Sequence, residues 1–133
     1  MADSNITKRA LAAALKELME QKPFSKINVA EICEKCGMNR KSFYYHFKDK
    51  YDLVNWIFDM DFAKVLEAHE KKDYFTWPFL EALCECFYEN RCFYRKALKI
   101  REQNCLIDHY RDKLEPFMQA GMRKILHETE YMD

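Results

Sequence analysis

The chain has 133 residues, and its 22 Lys and Arg balance its 22 Asp and Glu. Two glycines and three prolines are too few for the many turns of a β-sandwich, and an apolar content of 49% excludes wholesale disorder. No apolar run approaches the roughly 20 residues that span a bilayer, and the N-terminus lacks a signal-peptide core. We therefore expect a helical, cytoplasmic protein without a membrane segment.

The charges are unevenly distributed along the chain. Residues 1–52 carry ten Lys and Arg against seven Asp and Glu, a balance of +3, whereas residues 53–133 carry twelve against fifteen, a balance of −3. A basic part joined to an acidic body is the asymmetry expected when a DNA-binding unit is attached to a second unit.

The first predicted helix begins at a cap at Asp3 or Ser4 and runs to about Gln21. The residue before a proline disfavours helix, so Lys22-Pro23 ends it. Its apolar stripe consists of Ile6, Ala10, Leu11, Ala14, Leu15, Leu18 and Met19.

Residues 28–47 predict two short helices joined by a tight turn. Asn28 caps the first helix, and Glu31 completes a capping box. Gly37 suits the left-handed position after that helix, and Asn39 caps a second helix that begins at Arg40. The apolar face of the first helix consists of Val29, Ile32, Cys33 and Cys36.

The second of these helices has two different faces. Phe43 and Phe47 lie at i and i+4, so both point inward. The opposite face suits the major groove of DNA. It carries Arg40, Lys41, Ser42, Tyr44, Tyr45 and His46.

Residues 27–53 resemble the TetR/AcrR-type bacterial transcription regulators. The resemblance is carried by EICEKCGMN, by the recognition helix SFYYHFKDK and by Tyr51-Asp52-Leu53. It implies an all-α fold, in which residues 1–50 form a three-helix helix-turn-helix domain and a long helix leads into a helical ligand-binding and dimerisation domain at residues 51–133. The following DLVNWIF is similar to the subgroup of dihydroxyacetone kinase regulators. Family members usually continue further, so the second domain is shorter than usual.

Several signals mark the later helices. Asp49 caps the fourth helix, residues 69–73 form a polar break, and Thr76 caps a further helix with Pro78 in its first turn. Pro116 predicts a break or a kink near the C-terminal end. The buried side of the fourth helix is predicted to consist of Leu53, Trp56, Ile57, Met60 and Val65.

The exposed polar residues predict two kinds of DNA contact. Tyr44, His46 and Lys50 are the phosphate candidates, because each presents a donor and Lys50 opens a helix. Arg40, Lys41 and Tyr45 are the base-edge candidates. His46 could instead be a core histidine and Lys41 an ordinary surface lysine. The full predicted set is Asn28, Asn39, Arg40, Lys41, Ser42, Tyr44, Tyr45, His46, Lys48 and Lys50.

Residues 53–133 hold 14 of the 20 aromatic residues. Such a cluster forms either a hydrophobic core with an interface, or the effector pocket between helices that the family resemblance implies. The predicted ligand-binding residues are Trp56, Met60, Phe62, Phe87, Tyr94 and His109.

Cys33 and Cys36 have the spacing of half a zinc site or of a redox pair. No second pair at suitable spacing completes a four-ligand zinc site, so we interpret both as packing residues. A thiol sensor remains the alternative interpretation.

No phosphate loop, zinc-hydrolase motif or nucleophile elbow is present, so we do not expect an enzyme, a cofactor or a bound metal. The sequence favours a ligand-responsive transcription regulator that binds a palindromic operator as a homodimer and responds to a small-molecule effector or a protein co-regulator. The alternative is a helical protein-interaction or thiol- or metal-sensing module that has lost DNA binding.

Overall fold

The computed structural model describes residues 2–69 and 74–130, and these ranges contain seven α-helices and no strand. The all-α prediction is therefore confirmed. Most of the predicted polar break, residues 70–73, lies outside the described residues. No helix within the described ranges is long and apolar enough to cross a membrane. The helices are α1 (Ala2–Gln21), α2 (Val29–Lys35), α3 (Arg40–His46), α4 (Lys50–Ala68), α5 (Trp77–Glu89), α6 (Arg91–Ala97) and α7 (Leu106–Glu130), and a short 3-10 turn spans Phe24–Lys26.

The first three helices pack on one another around the apolar stripe of α1. Leu11 and Leu15 on α1 and Phe43 on α3 are fully buried. Polar contacts at the rim hold α2 against α1, because Lys35 Nζ lies 3.4 Å from Glu17 Oε2. These helices therefore form a unit that presents α3 at its surface.

The start of α1 differs from the prediction in two respects. The helix begins at Ala2, before the predicted cap, and the Asp3 side chain lies outside the described residues. Ser4 is inside the helix, and its Oγ lies 3.5 Å from His46 Nδ1. Ile6 is 62% exposed, so its assignment to the buried stripe was wrong. It precedes Leu11 by five residues, which places it about 140° around the helix from that buried side chain.

Helix α4 is buried on more than one face. Asp49 caps it as predicted, because its side chain accepts a hydrogen bond from Asp52 N at 2.8 Å. Leu53 and Ile57 are buried as predicted, but Met60 is 38% exposed, which contradicts its predicted burial. The sequence prediction also missed a second buried side on this helix. It consists of Val54, Asn55, Phe58 and Phe62.

The far end of α4 enters an aromatic core formed with α5, α6 and α7. The Phe62 ring lies 5.5 Å from the Phe79 ring and 5.3 Å from the Phe117 ring, measured between centroids. Tyr94 of α6 donates a hydrogen bond from its hydroxyl to Asp61. One continuous hydrophobic core therefore runs from α1 to α7.

Helix α7 continues through Pro116, so the predicted break there is absent. Pro116 removes one donor, which leaves the carbonyl of Asp112 without its usual intrahelical hydrogen bond. Both residues are exposed, so water can reach that carbonyl. The helix therefore tolerates the proline at this position.

Lys50 connects the start of α4 to the segment between α1 and α2. Its Nζ donates hydrogen bonds to the carbonyl oxygens of Phe24 at 2.9 Å and Ile27 at 2.8 Å. It also lies 4.3 Å from the centroid of the Phe24 ring. Burial lowers the pKa of Lys50, and the nearby carboxylates of Glu102 and Glu31 oppose that shift. Lys50 is therefore a structural residue whose ammonium points into the protein.

This arrangement predicts different effects for two neighbouring lysines. Lys50→Met keeps the length of the side chain but leaves the Phe24 and Ile27 carbonyls without this donor, which should lower the free energy of unfolding by about 1–3 kcal/mol. Lys48→Met is the matched control, because Lys48 is exposed and should change stability by less than about 0.5 kcal/mol. Urea denaturation measures both, and equal effects would contradict the role given to Lys50.

Candidate DNA-binding surface

Two asparagine caps fix the geometry of the helix-turn-helix. Asn28 Oδ1 accepts from Glu31 N at 2.9 Å, and Glu31 Oε1 accepts from Asn28 N at 3.3 Å. Asn39 Oδ1 accepts from Ser42 N at 2.8 Å. Gly37 between the helices has a φ of 70°, a left-handed conformation that glycine adopts without steric cost. The predicted capping box, turn and second cap are thus confirmed.

The two faces of α3 are confirmed as well. Phe43 is completely buried and lies 5.7 Å from Phe47, which is also buried. Tyr45 on the opposite side is 83% exposed, and Tyr44 is 54% exposed. An 83% exposed tyrosine has no packing role within the chain, so the exposed side of α3 is available to a ligand.

The remaining predicted residues are placed around this face. Arg40 and Lys41 are exposed at the start of α3, and Ser42 is half-buried. His46 is half-buried at the end of α3, with its ring edge-on to Tyr45 at 5.0 Å. His46 is therefore neither a core histidine nor a freely projecting side chain, and it can reach a ligand only along its exposed edge.

Three residues that were predicted to contact DNA have side-chain polar atoms engaged within the protein. The ammonium of Lys50 faces the Phe24 and Ile27 carbonyls, which conflicts with its predicted phosphate contact. The sequence signal failed because only the tertiary structure brings those carbonyls to it. Asn28 and Asn39 are exposed, but each has its side-chain oxygen engaged in a cap. Lys48, by contrast, is exposed beside α3 and keeps its predicted position.

Cys33 and Cys36 lie on the inner side of α2. Cys33 is buried, and Cys36 Sγ lies 3.4 Å from the carbonyl oxygen of Ile32. Burial raises the pKa of both thiols above the ordinary cysteine value. A raised pKa keeps a thiol protonated at neutral pH and lowers its reactivity. Among residues 2–69 and 74–130, no group of three or more His, Cys, Asp or Glu side chains could hold a metal ion.

The structure does not gather the predicted ligand-binding residues around one cavity. Phe62 and Tyr94 belong to the buried core, and burial raises the pKa of the Tyr94 hydroxyl far above its ordinary value. Phe87 packs on Tyr94 with ring centroids 4.8 Å apart. Trp56 and His109 share one small polar cleft, and Trp56 and Met60 share a second cleft. These residues therefore do not line one common pocket. The aromatic content of a sequence does not show which aromatic side chains form the core and which line a cavity.

The sequence prediction missed a wide apolar groove between α5 and α7. Its volume is about 770 Å³, and its walls include Leu80 and Leu114. On the α7 wall of this groove and directly beside it, four apolar residues are each more than half exposed. They are Met118, Met122, Ile125 and Leu126, and we call them the α7 apolar face. Their spacing along the helix was the signal that could have revealed this surface.

Residues 8–57 match the family described as "Bacterial regulatory proteins, tetR family". The matched residues contain most of α1, all of α2 and α3 and the start of α4, so the helix-turn-helix part of the chain is of the tetR family. Within that class the chain is similar to the HTH-type dhaKLM operon transcriptional activator DhaS of Lactococcus lactis subsp. lactis (strain IL1403). The two are 34% identical over 101 residues, which is 75% of this chain and 53% of that protein.

A solved structure gives the same result for the fold. The dihydroxyacetone kinase operon activator DhaS is 29% identical, with a TM-score of 0.59 over 81% of this chain and 68% of the other. The chain spans about half the length of the curated relative it matches. The helix-turn-helix family and the similarity to the dihydroxyacetone kinase subgroup, both expected from the sequence, are thus confirmed.

The two faces of α3 predict opposite mutational effects on stability. Phe43→Ala removes a fully buried ring and should cost about 3–5 kcal/mol of unfolding free energy. Tyr45→Ala removes an exposed ring and should change stability by less than about 0.5 kcal/mol. Chemical denaturation followed by circular dichroism measures both, and a large loss for Tyr45→Ala would show that its ring packs within the protein.

Proposed function

We propose that this protein is a ligand-responsive regulator that binds a palindromic operator as a homodimer through α3. The observation that carries the proposal is the exposure of a tyrosine- and cation-bearing face on a helix that is anchored from behind by Phe43 and Phe47. Its similarity in sequence and in structure to the dihydroxyacetone kinase operon activator DhaS supports a promoter of such an operon as the target.

The positions of the side chains support a division of roles on DNA. Arg40, Lys41 and Tyr45 project from the exposed face, where they could reach base edges. Tyr44 and Lys48 are also exposed, and we assign them to backbone phosphates, to which His46 could contribute through its exposed edge. We propose that Lys48, and not Lys50, contacts a phosphate of the DNA backbone.

Dimerisation through the α7 apolar face would bring two copies of α3 together. Exposed apolar patches on soluble proteins commonly mark interaction sites. A twofold pairing of α7 with its copy would cover Met118, Met122 and Ile125 on both chains at once. A palindromic operator needs such a pair, because its half-sites lie about 34–36 Å apart for one helical turn.

Helix α4 supports a route from an effector to DNA. Its 19 residues span about 28 Å, and they contact α1 of the helix-turn-helix part as well as α5 and α7. A molecule bound against α4 that favours one spacing of the recognition helices would change operator affinity. If the molecule binds one spacing ten times more tightly than the other, the difference in binding free energy is about 1.4 kcal/mol.

Two alanine variants should separate base contacts from phosphate contacts. Arg40→Ala should cost about 1–3 kcal/mol of binding free energy and relax the preference at one base pair. Lys48→Ala should weaken binding to all sequences alike and reduce the salt slope by about one unit. Fluorescence anisotropy on the promoter of the neighbouring operon measures both effects.

Lys99→Ala is the control for net charge, because it removes the same charge from an exposed position in the other half of the chain. It should leave DNA affinity close to that of the wild type. Unchanged affinity in both Arg40→Ala and Lys48→Ala would refute the proposed use of α3.

The dimer is tested by placing a charge in the α7 apolar face. Met122→Glu should give a monomer in sedimentation and weaken operator binding, because the pair would bury two carboxylates. Gln103→Glu adds the same charge at an exposed position in the segment before α7, outside the α7 apolar face, and it should leave the dimer intact. A wild-type protein that sediments as a monomer on a full operator would contradict the proposal.

A further inference from the structure

A small polar cleft lies directly behind the recognition helix. Its volume is about 190 Å³, several times the roughly 30 Å³ that a water molecule occupies in the liquid. It adjoins four separate parts of the chain, namely α1, the end of α3, α4 and the start of α7. Its polar and charged lining residues include Lys8, His46, Asp52, Asn55, Asp59, Asn104 and His109.

Asn55 carries an unusual buried carboxamide in this cleft. It is only 4% exposed, and its Oδ1 has no hydrogen-bond partner among the described residues. Its Nδ2 donates to two oxygens of one residue, the carbonyl and the Oδ1 of Asn104, both at 3.2 Å. A buried carbonyl oxygen without a donor costs about 1–3 kcal/mol, so this carboxamide is only half satisfied.

Asn104 contacts the carboxamide from a left-handed backbone conformation. Its φ is 64°, where a residue other than glycine is strained, although asparagine is strained less than most. Asn104 is also exposed, so it can move away without opening the hydrophobic core. Movement of this one residue would free the Nδ2 of Asn55.

The charges around the cleft favour a neutral ligand. Asp59 is already paired, with His109 Nε2 at 2.7 Å and Lys113 Nζ at 3.5 Å. Asp52 Oδ2 accepts from Lys48 N at 2.9 Å. A cation would therefore find both carboxylates engaged, and the positive charge of Lys8 in the same lining leaves little net charge to attract an ion of either sign.

Hydroxyl groups match what Asn55 lacks. A hydroxyl both donates and accepts, so two neighbouring hydroxyls can donate to Oδ1 and accept from Nδ2 of one carboxamide. From the cleft volume, the half-satisfied Asn55 and the paired carboxylates, we propose that this cleft binds a small, neutral, polyhydroxylated molecule of three or four carbons. That molecule displaces Asn104 and contacts the α3 residue His46. Its effect on the operator rests on the proposed function, whereas its binding does not.

Calorimetric titration of the full chain without DNA tests the binding, with glycerol and erythritol as probes. At least one of them should give saturable one-to-one binding. Asn55→Leu keeps a side chain of similar size but removes the carboxamide, and it should weaken that binding by about tenfold or more. Gln119→Ala, on the exposed side of α7, should bind as the wild type does.

Two substitutions of Asn104 test whether the ligand displaces this residue or only contacts it. Asn104→Ala loses the side-chain contact and keeps the left-handed strain, so it should bind the probe more tightly than the wild type. Asn104→Gly removes that strain and stabilises the closed arrangement, so it should bind more weakly than Asn104→Ala. Equal affinities for the two variants would overturn the displacement of Asn104.

The binding proposal itself has separate contrary outcomes. Absence of saturable binding of both probes at millimolar concentrations, or undiminished binding by Asn55→Leu, would overturn it. Anisotropy of the wild type on promoter DNA without a probe tests the proposed function independently. A failure of probe binding can therefore be distinguished from a failure of DNA binding.

Discussion

Every part of this protein depends on the burial of α4 on more than one face. Leu53 and Ile57 are buried on one side of the helix, and Phe58 and Phe62 are buried on another side, where they pack into the aromatic core. A helix that is packed on two sides moves as a rigid element, because any displacement disturbs the close packing on both of them. The position of α3 is therefore set by residues far from any surface that DNA could touch.

Lys50 strengthens this connection at the DNA-proximal end. Its ammonium holds the carbonyls of Phe24 and Ile27, so the first turn of α4 is tied to the segment that leads into α2. Lys96 of α6 makes a comparable link by donating to the carbonyl of Met19 at the end of α1. These two lysines use their charge for internal hydrogen bonds, while Arg40, Lys41 and Lys48 remain exposed. Three of the ten Lys and Arg in residues 1–52 are thus exposed on or beside α3.

Local signals were the ones that the sequence predicted well. The caps at Asn28, Asn39 and Asp49 and the inward pair Phe43 and Phe47 depend on neighbours within a few residues, and the structure has all of them. Features that depend on distant parts of the chain were not predictable in this way. The carbonyls that receive Lys50 and the Asn104 contact to Asn55 come from segments 23 to 49 residues away.

The aromatic half of the chain illustrates the same limit. Phe62, Phe87 and Tyr94 have the composition of a ligand pocket, but the helices bring them together tightly enough to fill the space. A wide apolar groove lies instead between α5 and α7, where α7 carries the exposed Met118 and Met122. Which aromatic side chains line a cavity is decided by how the helices cross, and a single sequence does not contain that geometry.

The central claim is that two copies of α3 read DNA together, and a protection footprint on the promoter of the neighbouring operon tests it most directly. The account predicts two protected half-sites related by twofold symmetry, with centres about 34–36 Å apart or a multiple of one helical turn. A single protected half-site, or no protection at protein concentrations that saturate the dimer, would contradict it.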